Sequence, residues 1–219
     1  DAVAARSHQR AATAQAAGVL AEEIAPIQVP QGKGPAVTLE HDEGIRPDTT
    51  AASLAQLRPA FSKEETATIT AGSSSPLSDG AAALVIANKA AAEAEGLEWI
   101  AEIGAHGQTA GPDGSLHSQP ARAIERALKL QGLTAQELDL VEINEAFASV
   151  LIQSATDLGI EPEAVNAEGG AIALGHPVGA SGARLVLHQA LALKRRGGGI
   201  GVVALCGGGG QGDALILSA

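Results

Sequence analysis

The first part of the chain combines a helical pattern with short apolar runs that are separated by glycine and proline. An alanine-rich run over residues 1–18 predicts a helix that ends at Gly18. Apolar or β-branched runs predict strands at 24–29, 66–70 and 81–86. The second and third of these strands can pair with each other. The segment 30–50 is rich in glycine and proline and predicts a loop. Short helices are predicted over 50–57 and 88–95.

From about residue 97 onward, predicted strands and helices alternate. The strands are predicted at 99–105, 140–143, 200–205 and 214–217. The helices are predicted at 120–130, 145–158 and 180–196. Thr134 and Glu137 have the spacing of a helix capping box. This alternation indicates a layered α/β domain.

Composition supports that fold class and excludes several kinds of partner. Aromatic residues make up only 1% of the 219 residues, so the core must consist of small aliphatic side chains packed closely. The net charge of −11 argues against nucleic acid as a partner. No apolar run approaches the roughly 18–20 residues that span a bilayer, so we expect no membrane partner.

The start of the sequence and its single cysteine indicate whether the chain is a complete protein and in which compartment it is located. The sequence contains no methionine and opens at Asp1 directly in a helical pattern, so we expect it to be a piece of a longer protein. One cysteine cannot form an internal disulfide, which favours a reducing, cytoplasmic location.

Cys206 is the first candidate for chemistry, because an apolar strand precedes it and four glycines follow it. A lone cysteine is more often a small buried apolar residue, and the glycines could form a plain hairpin turn. Gly207, Gly209 and Gly212 also match the dinucleotide-binding pattern, but that pattern requires a helix to follow, and a strand is predicted instead. Four glycines exceed what a turn needs, and their free N–H groups can form an oxyanion hole.

His176 and Asn144 are the other candidates. Gly175 and Pro177 flank His176 and fix an unusual backbone, although a hydrogen-bonded core histidine is the plainer interpretation. Asn144 directly follows the strand 140–143, at the end where α/β sheets place ligands, or it caps the next helix. The remaining histidines lack metal-ligand spacing, so no metal site is predicted.

Taken in order, these motifs resemble those of the thiolase family over almost the whole chain. The segments that carry the resemblance are Leu57-Arg58-Pro59-Ala60-Phe61, Thr70-Ala71-Gly72, Asn144-Glu145-Ala146-Phe147-Ala148, Gly169 to Pro177, Gly179 to Arg184, and Cys206-Gly207-Gly208-Gly209. The resemblance implies two similar α/β halves in a five-layered α/β/α/β/α body with a loop domain. Residues 1–60 would end the loop (CoA-contacting) domain, 61–96 would supply the last strands and helix of the N-terminal half, and 97–219 would form the C-terminal domain.

The resemblance also implies a reaction. It is acyl-CoA C-acyl transfer, either the Claisen condensation of two acetyl-CoA molecules to acetoacetyl-CoA or the reverse thiolytic cleavage of a 3-ketoacyl-CoA. The nucleophilic cysteine of the family lies in its first half, so the chain would be inactive alone. The implied partners are acyl-CoA substrates, the missing N-terminal half and further copies in a homodimer or homotetramer. No cofactor is implied, because the coenzyme A thioester is the substrate.

Individual roles follow from the same resemblance. His176 corresponds to the histidine that activates the nucleophile, and Cys206 to the acid/base at the second acetyl-CoA. Asn144 corresponds to the residue that holds a water which, with His176, binds the thioester oxygen. The N–H of Gly208 corresponds to half of a second oxyanion hole. The CoA contacts are expected at Ser75, facing pantetheine, and at Arg46 and Ser53, near the nucleotide.

Two other functions share features with this pattern. A non-catalytic thiolase-like protein could bind CoA esters or lipids, but it has no use for Asn144, His176 and Cys206 together. A β-ketoacyl synthase shares the fold but would carry two histidines, and Cys206 occupies the second position. Residues 106–119 depart from the commonest thiolase pattern, which leaves the preferred acyl-chain length open.

Overall fold

The computed structural model describes all 219 residues, and its largest unit is a four-stranded mixed sheet covered by helices. The helices are α1 (Ala2–Ala16), α2 (Ala51–Leu54), α3 (Lys89–Ala94), α4 (Gln119–Gln131), α5 (Ala148–Leu158), α6 (Ala171–Leu174) and α7 (Ser181–Arg196). The strands are β1 (Ile27–Val29), β2 (Val37–Leu39), β3 (Glu102–Ala110), β4 (Leu140–Ile143), β5 (Ile200–Gly207) and β6 (Gln211–Ser218).

The four-stranded sheet has the order β3-β6-β5-β4. Strands β4 and β5 run parallel, whereas β6 is antiparallel to both β5 and β3. Along β6, Ala214 and Ile216 face the main core with α4, while Leu215 and Leu217 face a smaller cluster with α7. Because alternate residues of a strand point to opposite faces, α4 and α7 cover opposite sides of the sheet.

Glycine allows α4 to lie unusually close to the sheet. A Cβ atom at Gly107 of β3 would stand 2.0 Å from the carbonyl oxygen of Ala123 in α4. A Cβ at Gly212 of β6 would stand 2.4 Å from the carbonyl oxygen of Gln119. Backbone-to-backbone packing of this kind is how a core almost without aromatic rings remains dense.

Helix α1 packs against the sheet domain although it lies far from it in sequence. Its alanine face is buried, and Val3, Ala4 and Ala5 belong to the main core. Strands β1 and β2 form a separate two-stranded antiparallel sheet, and every residue of β1 is exposed.

The structure confirms most predicted elements and corrects others. Helix 120–130 and strand 140–143 are confirmed within a residue, and the helix predicted over 145–158 begins only at Ala148. The strand predicted over 99–105 lies at Glu102–Ala110, and the loop 30–50 contains the unpredicted β2. None of the helices combines the length and hydropathy that crossing a bilayer requires.

The predictions of strands at 66–70 and 81–86 are wrong. Neither segment is a strand, and only Thr70 makes an isolated bridge, to Pro59. A strand needs a neighbour that accepts and donates its backbone hydrogen bonds. Residues 66–70 pair with another segment only through that bridge and a hydrogen bond from the N–H of Ala60 to the carbonyl of Ile69 at 2.9 Å. The 81–86 run makes no backbone pairing, and Val85 is 102% exposed.

Candidate active site

The carboxyl ends of the parallel strands β4 and β5 place two candidate residues at one edge of the sheet. Ile143, the last residue of β4, pairs with Ala204, and the N–H of Asn144 donates to the carbonyl of Ala204 at 2.9 Å. Cys206 follows two residues later on β5. Asn144 does not cap the next helix, because α5 begins at Ala148 with Phe147 as its N-cap. Its buried side chain is therefore available to the site.

His176 reaches the same edge from a separate loop. It follows Gly175, whose φ of 95° lies in the left-handed region that favours glycine. The N–H of His176 donates to the carbonyl of Pro76 at 3.1 Å, which fixes the backbone. Its Nε2 atom lies 3.3 Å from Nδ2 of Asn144. The structure thus brings these two sequence-predicted residues into direct contact.

The environment of His176 keeps its imidazole neutral. Burial, and after it the positive charge of Arg184, lower the pKa of His176 below its usual value. A neutral imidazole at pH 7 can accept a proton, which a general base must do.

Cys206 lies in the hairpin between β5 and β6, opposite Gly212. It is half-buried and, like Phe147, packs against the main core. Burial raises the pKa of its thiol, so the protonated form predominates at neutral pH. The antiparallel pairing of β5 with β6 confirms the hairpin interpretation of the glycine run. The turn places a thiol at the same edge of the sheet as Asn144.

The turn after Cys206 leaves an amide free. Gly209 and Gly210 have φ values of 85° and 77°, which turn the chain. Gly208 is exposed, and its N–H makes no hydrogen bond within the chain. An unpaired N–H next to a thiol is suited to bind an oxyanion.

Three further candidates were predicted to contact coenzyme A. Ser75 joins the site region, because its N–H and its hydroxyl each donate to the carbonyl of Ala146 at 3.1 Å. Arg46 and Ser53 lie on an exposed segment and make no hydrogen bond to Asn144, His176 or Cys206.

The segment that carries Arg46 and Ser53 is held by α1 and by a cap. The N–H of Arg46 donates to Nδ1 of the buried His8 at 3.1 Å. The hydroxyl of Ser53 accepts from the N–H of Thr50 and donates to its carbonyl, as part of a capping box.

Glu145 is a site residue to which the sequence analysis gave no role. Its buried carboxylate accepts from Ser7 Oγ at 2.6 Å, from Asn166 Nδ2 at 2.9 Å and from the N–H of Ile172 at 3.1 Å. Burial raises the pKa of Glu145, and these hydrogen bonds partly offset the rise. One side chain thus joins α1, the Asn166 turn and α6, and it fixes the loop that leads to His176.

Signals for Glu145 and its partners are present in the sequence but weak. A charged residue two positions after the end of a strand is one such signal, and Gly170 is another. A Cβ at Gly170 would stand 2.3 Å from the Glu145 carboxyl carbon, so only glycine fits. The partner Ser7 is 138 positions away and has no local signature.

Comparison with known proteins places this geometry in a family. A model of the thiolase C-terminal domain matches residues 97–219, and a model of the thiolase N-terminal domain matches residues 1–90. A probable acetyl-CoA acetyltransferase of Mycolicibacterium smegmatis is 58% identical over 99% of this chain and 55% of its own length. A 3-ketoacyl-CoA thiolase of Bacillus subtilis is 46% identical over 99% of this chain and 57% of its own length.

Solved structures agree with the sequence relatives. The acetyl-CoA acetyltransferase of Bacillus anthracis superposes with a TM-score of 0.94 at 37% identity, covering 99% of this chain and 54% of that one. Human mitochondrial 3-ketoacyl-CoA thiolase superposes with a TM-score of 0.87 at 36% identity, covering 99% and 54%. The chain thus spans about half the length of the relatives it matches. Its fold is that of the thiolases, and the chain belongs to the thiolase family.

Proposed function

We propose that this chain supplies the acid/base and oxyanion groups of an acyl-CoA C-acyltransferase. The reaction is the condensation of two acetyl-CoA molecules to acetoacetyl-CoA, or the reverse thiolysis of a 3-ketoacyl-CoA. The observation that carries the proposal is the contact between Asn144 and His176 at the sheet edge that also presents Cys206 and the free N–H of Gly208.

In the first half-reaction, His176 acts as the base. Its Nε2 atom takes the proton of a nucleophilic cysteine that lies in a preceding half of the enzyme, outside these 219 residues. The cysteine sulfur attacks the thioester carbonyl, and the coenzyme A thiolate leaves and recovers that proton. Asn144 holds a water that, together with His176, binds the thioester oxygen of the substrate.

In the second half-reaction, Cys206 moves a proton at the α-carbon of the second acetyl group. In its minor thiolate form it removes a methyl proton, and the resulting carbanion attacks the acyl-enzyme carbonyl and expels the nucleophilic cysteine as a thiolate. That thiolate recovers the proton from Cys206, which restores both cysteines for the next cycle. In the reverse direction the thiol form of Cys206 protonates the departing carbanion. The N–H of Gly208, together with the N–H of the nucleophile, forms a second oxyanion hole, which binds the oxyanion that develops on the acyl-enzyme carbonyl when the carbanion attacks it.

The substrate and the assembly belong to the same proposal. Ser75 faces the pantetheine arm, and Arg46 and Ser53 lie near the nucleotide of coenzyme A. Residues 1–60 end a loop domain, 61–96 complete an N-terminal half, and 97–219 form the C-terminal domain. We expect the complete enzyme to be a homodimer or homotetramer, which the resemblance to the family implies.

Replacing Cys206 by serine in the complete enzyme tests the proposal. A hydroxyl is a far weaker acid than a thiol with a pKa of about 8.5, so condensation should fall by roughly 10²–10⁴-fold. Formation of the acyl-enzyme depends on His176 and should survive. Rapid-quench mass spectrometry of the acyl-enzyme and an assay of acetoacetyl-CoA would measure the two steps separately.

A His176→Ala variant is the matched comparison, because it should slow acylation itself. If Cys206→Ser leaves condensation within about threefold of the wild type, less than 1 kcal/mol of transition-state stabilisation is involved and Cys206 is a packing residue. If the wild-type enzyme binds CoA esters and turns none over, the non-catalytic binding function replaces the enzymatic one.

A further inference from the structure

The side chain of His176 contacts Asn144 through one ring nitrogen and has a second close neighbour at the other ring nitrogen. Its Nδ1 atom lies 2.6 Å from the hydroxyl oxygen of Ser181, the first residue of α7. Ser181 is 1% exposed, so water does not compete for this contact. A hydrogen bond this short between a buried hydroxyl and a half-buried ring restricts both the rotation of the ring and the position of its proton.

The contacts of the Ser181 hydroxyl decide which atom carries that proton. Its oxygen lies 3.0 Å from the carbonyl oxygen of Pro177, which can only accept. When the hydroxyl proton is donated to Pro177, a lone pair of the hydroxyl oxygen is left for an N–H at Nδ1 of His176. The other ring nitrogen faces Nδ2 of Asn144, a donor, which requires a lone pair on Nε2.

We propose that Ser181 is a positioning residue that holds His176 in the tautomer with the proton on Nδ1 and the lone pair on Nε2. The assignment of the tautomer depends on the geometry alone, whereas its catalytic consequence depends on the proposed function. When Nε2 takes the proton of the nucleophilic cysteine and returns it to the coenzyme A sulfur, the Nδ1–H bond to Ser181 stays intact. The ring needs no reorientation between the two transfers.

The backbone between His176 and Ser181 explains why a serine is placed here. The carbonyl of Pro177 accepts the N–H groups of Ala180 and Ser181 at 2.8 and 2.9 Å, which closes a turn at the start of α7. This turn carries the hydroxyl back beneath the imidazole five residues earlier. The positions of the ring and of its partner are thus set by one short segment.

A hydroxyl has a different effect on the histidine from a carboxylate. A carboxylate at Nδ1 would stabilise the imidazolium and raise the pKa of the ring. With Ser181 as the partner, burial and Arg184 keep the pKa of His176 low. The serine therefore orients the base while leaving it unprotonated at neutral pH, ready to accept a proton.

The experiment uses the complete enzyme with ¹⁵N-labelled histidine and compares the wild type with Ser181→Ala and Ser181→Thr. Nitrogen chemical shifts of His176 report the tautomer, and a pH titration of the same signals reports its protonation. The wild type should show Nδ1–H, and Ser181→Ala should show a mixture of tautomers. Acyl-enzyme formation in Ser181→Ala should fall by about 10-fold or more, a part of the 10²–10⁴-fold that a general base contributes. Ser181→Thr, which keeps the hydroxyl, should retain mostly the Nδ1–H tautomer and most of the wild-type rate of acyl-enzyme formation.

Ser154→Ala is the matched control. Ser154 is also fully buried and donates to a backbone carbonyl, that of His117 at 2.8 Å, but it does not contact His176. It should change neither the tautomer nor the pH dependence of acylation. A wild-type enzyme with the proton on Nε2 overturns the proposal, even if Ser181→Ala does not fold. An unchanged tautomer and acylation rate in Ser181→Ala overturn it as well. If the tautomer shifts as expected but no acyl-enzyme forms in the wild type, it is the proposed function that fails.

Discussion

Glu142 is a buried acid outside the chemistry of the site, on the strand that carries Asn144. It is 4% exposed, and one of its carboxylate oxygens has no hydrogen-bond partner. Burial raises the pKa of Glu142 to about 7, although the positive charges of His188 and Arg184 oppose the rise.

His188 is coupled to this acid. Its ring is buried, with Nδ1 3.0 Å from a carboxylate oxygen of Glu23. Burial lowers the pKa of His188, but the hydrogen bond to Glu23 and the charges of Glu142 and Glu23 outweigh that effect and raise it overall. The pKa values of Glu142 and His188 thus both lie above those of the unfolded chain. The stability they contribute is present at low pH and is lost as the pH rises.

Glu142→Gln should make the protein less sensitive to alkaline pH. The wild-type carboxyl group contributes its full stability below an unfolded pKa of about 4.5 and loses it as the pH rises through about 7. Glutamine stays neutral, so at pH 8 the variant should gain about 1–3 kcal/mol of unfolding free energy, since each pKa unit is worth about 1.4 kcal/mol. Urea denaturation of the wild type and the variant at pH 5 and pH 8 measures their unfolding free energies. The control is Glu125→Gln, on the exposed face of α4. A loss of stability at pH 8 would show that the charge of Glu142 stabilises the fold through His188 and Arg184.

At the scale of secondary structure, the packing of α4 on the sheet depends on a missing side chain. The space for a Cβ at Gly107 is already occupied by backbone, the carbonyl oxygen of Ala123 at 2.0 Å and the N atom of Ala127 at 2.6 Å. Gly107 does not have a positive φ, so the constraint is steric rather than conformational.

Gly107→Ala should therefore force α4 away from β3. Overpacking of a dense core typically costs about 1–3 kcal/mol of unfolding free energy. Because the collision here is with backbone that cannot rotate away, we expect a loss of at least about 2 kcal/mol of unfolding free energy. Gly114→Ala provides the control, because no atom lies within 4 Å of its Cβ position. Paired chemical denaturation curves measure the difference. Equal stabilities would mean that α4 has freedom to move that the structure does not show.

The same scale shows which elements the sequence could predict. Strand β4 was predicted to the residue, because its four residues are bounded by an aspartate before and an asparagine after. Helix α4 was predicted because an apolar stripe repeats at helical spacing along it. The segments 66–70 and 81–86 have equally good strand composition but lack a partner strand. Strand formation depends on residues far away in the chain, which a local pattern cannot report.

The predictability of the site follows the same division. Cys206 and His176 stand out in the sequence because glycines surround them. Clustered glycines mark tight turns and close backbone approach, which are features of the local chain. The contact between Ser181 and His176 depends on the path of a turn, and the hydrogen bond between Ser7 and Glu145 joins residues 138 positions apart. Such contacts become visible only in three dimensions.

At the scale of the whole molecule, apolar side chains are exposed along one stretch of the chain. Within 57–103, large apolar residues with at least 41% exposure are Leu57, Phe61, Leu77, Val85, Ile86, Leu97, Trp99, Ile100 and Ile103. The only α-helix or β-strand residues in this stretch are those of α3 and the first residues of β3. Isolated exposed apolar residues are ordinary, but so many within one segment mark a surface that another part of a protein covers.

We therefore expect this 21.8 kDa chain to associate with itself or aggregate when it is alone. The chain spans 55% of the length of its Mycolicibacterium smegmatis relative. Under the proposed function, we predict that the first half of the enzyme buries the 57–103 stretch. Light scattering and binding of a hydrophobic dye should report large, dye-binding species for the chain alone. Co-expression with the corresponding first portion of the enzyme should suppress both, whereas co-expression with an unrelated domain of similar size should not. A monodisperse monomer with a cooperative thermal transition would show that the exposed stretch needs no cover.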